Sequence, residues 1–120
     1  MARVVAVFDD LLLGSNVLGM LRAAGHEARL TGDAAAVNPD GAAVLIVDLA
    51  SPGFDGVAVV EALRADGELG DTRTLGVYSH VDAETRERAI AAAFDLVVPR
   101  SRMAREGPAL VERLLATAPD

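Results

Sequence analysis

Residues 44–56 read VLIVDLASPGFDG: an apolar run, an aspartate at 48, then a loop containing Pro52 and Gly53. An unbroken aliphatic run of this length suits a strand buried on both faces, as in the middle of a parallel sheet. A carboxylate that closes such a strand is costly unless a cation or hydrogen-bond donors satisfy it. What satisfies Asp48 depends on which elements lie beside it.

Working outward, apolar runs alternate with helical patterns along the whole chain. Arg3 to Phe8 reads as a buried strand, and Gly14 to Ala24 as a helix with Val17, Leu18 and Leu21 on one face and Gly25 closing it. Glu27 to Thr31 is a second strand. GDAAAVNPDG, residues 32–41, leaves room for little more than one helical turn before Asn38-Pro39-Asp40-Gly41 breaks it. Ala43 to Asp48 is the third strand. Asp55 can cap a third helix that buries Val57, Val60, Leu63 and Val59. Arg73 to Tyr78 forms the fourth strand, Asp82 to Ala93 the fourth helix and Asp95 to Val98 the fifth strand. Pro108 suits the first turn of a last helix, PALVERLLA. Five strand–helix alternations with right-handed crossovers predict a parallel sheet with helices on both faces. Sites in such sheets form at the carboxyl ends of the strands.

The 120 residues suit one domain spanning 1–120. Hydrophobic residues make up 52% but aromatics only 3%, so the core is built of Ala, Val and Leu. The absence of cysteine excludes disulfides, thiolate metal sites and cysteine nucleophiles. A net charge of −7 argues against nucleic-acid binding. No apolar stretch reaches membrane-spanning length, and acid follows the first apolar run, which argues against a signal peptide. A cytoplasmic location is the expectation. The chain has no lysine; all 11 of its Lys-or-Arg residues are arginine.

The first strand runs into Asp9-Asp10 and the third ends on Asp48. Neighbouring strand ends lie roughly 5 Å apart, where three carboxylates repel unless a cation sits among them. One or two carboxylates, a carbonyl and several waters form the oxygen shell that Mg²⁺ prefers. A bound metal is therefore the expected partner of Asp48. The bland alternative for Asp9 and Asp10 is capping of the loop or helix that follows.

Asp48-x-x-x-Pro52-x-x-Asp55-Gly56, Phe8-Asp9-Asp10 at the end of the first strand and Ser79 at the end of the fourth resemble the CheY-like receiver domains of bacterial two-component response regulators. The resemblance covers the whole chain. It implies an α/β flavodoxin-like three-layer sandwich, with a five-stranded parallel sheet of order 2-1-3-4-5 and a shortened second helix. It also implies a stand-alone receiver in phosphorelay signalling. Asp48 would accept a phosphoryl group from a histidine kinase or small phosphodonor, a carboxylate nucleophile helped by charge neutralisation. Asp9, Asp10, Asp48 and the backbone carbonyl of Ala50 would hold Mg²⁺, and Ser79 would be the switch hydroxyl. Pro52 and Gly53 would shape the loop. Output would be binding to a downstream protein, or homodimerisation through the fourth helix, fifth strand and fifth helix. No enzymatic role is implied beyond self-phosphorylation and autodephosphorylation.

The chain departs from that pattern where the family carries a Lys-Pro pair. Leu96-Val97-Val98-Pro99-Arg100 puts proline on the lysine position, which leaves Arg100 or Arg102 as the substitute cation. Arginine's planar fork is not equivalent to an ammonium. Leu96 stands where many receivers have an aromatic residue, and His80 where a small residue is usual. A cis bond before Pro99 is a further expectation from the family. Ser79-His80-Val81-Asp82 also fits a capping box, in which Ser79 would serve only the fourth helix. His80 is expected in that helix's first turn, partly exposed, with a role at the pocket as its alternative. His26 is expected at the surface. Flavin, haloacid-dehalogenase and cobalamin readings lack their loops: after the first strand stands Asp-Asp-Leu, neither a Gly-rich phosphate loop nor Asp-x-Asp. The remaining rival is a pseudo-receiver, a phosphorylation-independent interaction module.

Overall fold

Val4, Ala6 and Phe8 pack to one side of the first strand, and Val5 and Val7 to the other. The third strand splits likewise, Val44 and Ile46 against Leu45 and Val47. Strands this apolar on both faces belong between two helical layers. The computed structural model describes residues 2–79 and 81–116 and has that architecture.

In chain order the elements are β1 (Arg3–Val7), α1 (Leu11–Ala23), β2 (Glu27–Thr31), a 3₁₀ turn (Ala34–Ala36), β3 (Val44–Asp48), α2 (Gly56–Ala65), β4 (Arg73–Tyr78), α3 (Ala83–Ala91), β5 (Leu96–Pro99) and α4 (Arg100–Ala116). All neighbouring strands are parallel, in the order β2-β1-β3-β4-β5. One core layer joins the sheet to α1 and α4 through Val17, Leu21, Met103, Leu110, Val111 and Leu114. The opposite layer joins it to α2 and α3 through Val57, Val60, Leu63 and Ala89. The segment between β2 and β3 forms only the 3₁₀ turn, as its composition predicts, so the described residues contain four α-helices. Among the described residues no helix is long and apolar enough to cross a membrane.

Element ends follow local chemistry. Asp10 is the N-cap of α1, accepting from the Leu12 and Leu13 amides at 3.1 Å, so the helix starts at Leu11 rather than Gly14. Asp55 caps α2 as expected, and Gly56 follows it because a side-chain carbon there would lie 2.9 Å from the Asp48 carbonyl oxygen. Asp82, not Ser79, caps α3, which removes the capping-box reading of Ser79. The last helix begins at Arg100 rather than Pro108. Its backbone leaves helical geometry at Glu106 (φ −125°, ψ 16°), where Pro108 withholds an amide donor and crowds the preceding turn, so Pro108 still opens the second half. Every peptide bond among the described residues is trans, so the expected cis bond before Pro99 is not formed.

His26 is a correction. It is buried, not at the surface, and its Nδ1 accepts from the Ala2 amide at 3.1 Å. The cause is the end of α1, where Gly25 (φ +92°) donates to Arg22 and the His26 amide donates to Leu21, both at 3.0 Å. This paired closure packs the second residue after the cap back against the helix, and that residue is His26.

Candidate functional site

The position of Asp48 follows from strand alternation. Val44 and Ile46 face the α1/α4 layer, and Asp48, two residues on, keeps that parity. It therefore points toward the starts of α1 and α4, the places that supply Asp10 and Arg100. The register agrees: Asp48 is level with Val77, Val77 with Val98 and Tyr78 with Pro99, so Arg100 emerges just past the strand ends.

The Asp48 side chain is 0% exposed. Its Oδ2 accepts from Arg100 Nη2 at 2.9 Å and its Oδ1 from the Ala50 amide at 3.0 Å. Arg100 Nη1 lies 4.0 Å from Asp10 Oδ2, so one guanidinium spans two carboxylates. Isolated, a carboxylate as deeply buried as Asp48 would cost several kcal/mol, so the charge-assisted bond is what lets it stay there. The cation that the sequence leaves unspecified is the arginine one residue after the proline. Arg102 does not join it; its Nε pairs with Glu106 at 3.4 Å within α4.

The other expected site residues are placed as follows. Asp10 is divided between capping α1 and facing Arg100. Asp9, exposed, accepts at Oδ2 from the Ser51 hydroxyl at 3.1 Å, and Ser51 accepts in turn from the Gly53 amide. Ser51 went unread in the sequence, although a serine before Pro-Gly is a common turn former. Ala50 contributes its amide to Asp48. Ser79 is half-buried, and its hydroxyl has no partner among the described residues. His80 lies outside the described residues.

Whether these groups fit Mg²⁺ can be tested on their bonds. No set of three or more His, Asp or Glu side chains close enough to share an ion occurs among the described residues. Asp10 is turned to amide donors, Asp9 to Ser51, and the space beside Asp48 and Asp10 belongs to a guanidinium. In this arrangement the donor set does not fit a divalent ion.

A second acid–arginine pair lies nearby on the opposite layer. Asp55 Oδ2 accepts from Arg88 Nη2 at 2.9 Å, with both side chains half exposed. The Arg88 hydrogen bond holds the Asp55 carboxyl below its usual range, and Asp55 raises the Arg88 pKa in return. Asp82 is lowered mainly by the Thr85 hydroxyl, which donates to it.

No protein-family model and no curated protein sequence matches the chain. Solved structures do. FixJ-N aligns over 100% of this chain and 98% of its own at TM-score 0.84 and 19% identity. The chain has the receiver-domain fold. The non-phosphorylated HemR receiver domain of Leptospira biflexa aligns over 100% and 98% at TM-score 0.82 and 18% identity. The receiver domain of the Francisella response regulator 1452 aligns over 95% and 96% at 0.81 and 16%. Identities this low carry the receiver fold and its strand order, while the site has to be argued from this chain's own residues.

Proposed function

We propose that this protein is a response-regulator-type signalling module that works by docking proteins, with its strand-end acid site held by Arg100 rather than driven by phosphate. The supporting observation is the state of Asp48. Both its oxygens are engaged, its side chain is fully buried, and the groups that would bring a metal to it are bonded elsewhere. Receiver domains are in general non-enzymatic signalling modules that meet kinases and effectors, and the shared fold supports that reading of this chain by analogy.

The docking face we favour is α3, β5 and α4, with a downstream protein or a second copy as partner. Ile90 on α3 and Leu115 on α4 are large apolar side chains left exposed. β5 is the sheet edge, and Pro99 at its end withholds a donor, which discourages simple strand addition.

The second reading, phosphoryl acceptance on Asp48, has its own support. The Ser79 hydroxyl and the buried Arg100 Nε have no partners among the described residues, and both are donors that suit phosphoryl oxygens. Arg100 is also about one-third exposed.

Acetyl phosphate with Mg²⁺, read by intact mass, separates the two. The docking reading predicts no phosphoryl adduct and unchanged oligomeric state. An adduct that disappears in Asp48→Asn would establish the second reading instead.

A further inference from the structure

We infer that Arg100 is the resident cation of the strand-end acid site, standing where the receiver fold implies a divalent metal. The inference concerns the charge in the site and holds whether or not Asp48 accepts phosphate.

Three observations carry it. The first is position. Arg100 Nη2 is 2.9 Å from Asp48 Oδ2 and Nη1 is 4.0 Å from Asp10 Oδ2, so the guanidinium bridges the acids of β3 and of the β1–α1 junction. A Mg²⁺ ion needs oxygens at roughly 2.0–2.1 Å in near-octahedral array, and on the same Asp48 oxygen it would meet the repulsion of the guanidinium already bonded there. The second is commitment of the other ligands: Asp10 Oδ1 serves two amides and Asp9 Oδ2 the Ser51 hydroxyl. The third is the helix end. Arg100 is the first residue of α4, where a positive side chain is opposed by the helix dipole. It is held there by the acids it faces.

A covalently attached cation makes the site indifferent to metal concentration. Removing it leaves Asp48 Oδ2 and Asp10 Oδ2, the two oxygens that face the guanidinium, without their cation, and the vacated space then has reason to take up a hydrated Mg²⁺.

The test compares the parent, Arg100→Ala and Arg100→Lys by urea unfolding, in Mg²⁺ and in NaCl of matched ionic strength. Amide NMR spectra with trace Mn²⁺ serve as a paramagnetic probe. The parent and Arg100→Lys are expected to have the same midpoint in both salts. Mn²⁺ is expected not to broaden the Asp9, Asp10 and Ala50 amides of the parent selectively. Arg100→Ala is expected to be less stable, and Mg²⁺ at ten times its Kd should raise its folded-to-unfolded ratio about elevenfold. Selective Mn²⁺ broadening at those amides of the parent, with a matching gain in its midpoint from Mg²⁺, would overturn the inference. So would an Arg100→Ala protein that folds as stably as the parent and ignores Mg²⁺. If Arg100→Ala does not fold in either salt, the parent and Arg100→Lys arms decide. The mass measurement on Asp48 is independent, so failure of the docking reading and failure of the resident cation are told apart.

Discussion

Two acid–arginine pairs at the carboxyl ends of the strands have the same length and opposite settings. Asp48–Arg100 and Asp55–Arg88 are both joined at 2.9 Å, but Asp48 is 0% exposed whereas Asp55 is 50% exposed. Water screens the second pair, so either partner can be lost cheaply. The first pair has no water to fall back on at Asp48, so losing the arginine leaves a buried charge uncompensated. Asp55 also has a second role, as the cap of α2, which survives without Arg88. Bond length alone therefore says little; burial on the acid side decides which pair organises its surroundings.

The largest expected effect comes from breaking the buried pair on its basic side. Arg100→Ala should cost about 3 kcal/mol in urea unfolding, near the lower end of the range for uncompensated buried charges because Arg100 itself is partly solvated. Asp48→Asn should cost less, about 1–2 kcal/mol. The amide keeps the volume and still accepts from the Ala50 amide, while Arg100 can turn to water. Its circular dichroism should match the parent's. A collapse of structure would mean that Asp48 organises the sheet itself.

On the surface pair, Asp55→Ala should cost about 1 kcal/mol, the usual value of an N-cap, by leaving the Val57 and Ala58 amides unsatisfied. Arg88→Gln should have the smallest effect, and it should depend on pH. The folded-state pKa of Asp55 lies below its ordinary value of 3.8, so the pair contributes stability above that value. This contribution is lost as pH falls through the folded-state pKa. The difference between parent and Arg88→Gln should be present at neutral pH and vanish at low pH. A difference that persisted there would point to packing rather than charge.

The same contrast explains what the sequence made legible. β2 and β4 fall on their expected residues, and the strand order matches the resemblance, because segments of five and six residues between turn-forming breaks leave little freedom. Asp55 could be read as a cap from its neighbours alone, since capping is local. The partner of Asp48 was harder to read, because it is 52 residues away in the chain and its placement depends on strand parity, the register of β5 and the start of α4. Composition offered one hint, a chain with arginine and no lysine. The expectation of a metal followed from counting carboxylates, which registers their charges but not that Asp10 and Asp9 are bonded to Leu12, Leu13 and Ser51. His26 was misplaced for a related reason: the cap glycine was recognised, but the inward turn of the residue after it was not.

The most direct test is a pair of double-mutant cycles measured by urea unfolding under one set of conditions. One combines Asp48→Asn with Arg100→Gln, the other Asp55→Asn with Arg88→Gln. The buried pair is predicted to show a coupling of about 1.5–3 kcal/mol, well above that of the surface pair. A coupling between Asp48 and Arg100 no larger than that between Asp55 and Arg88 would contradict the claim that the arginine holds the site.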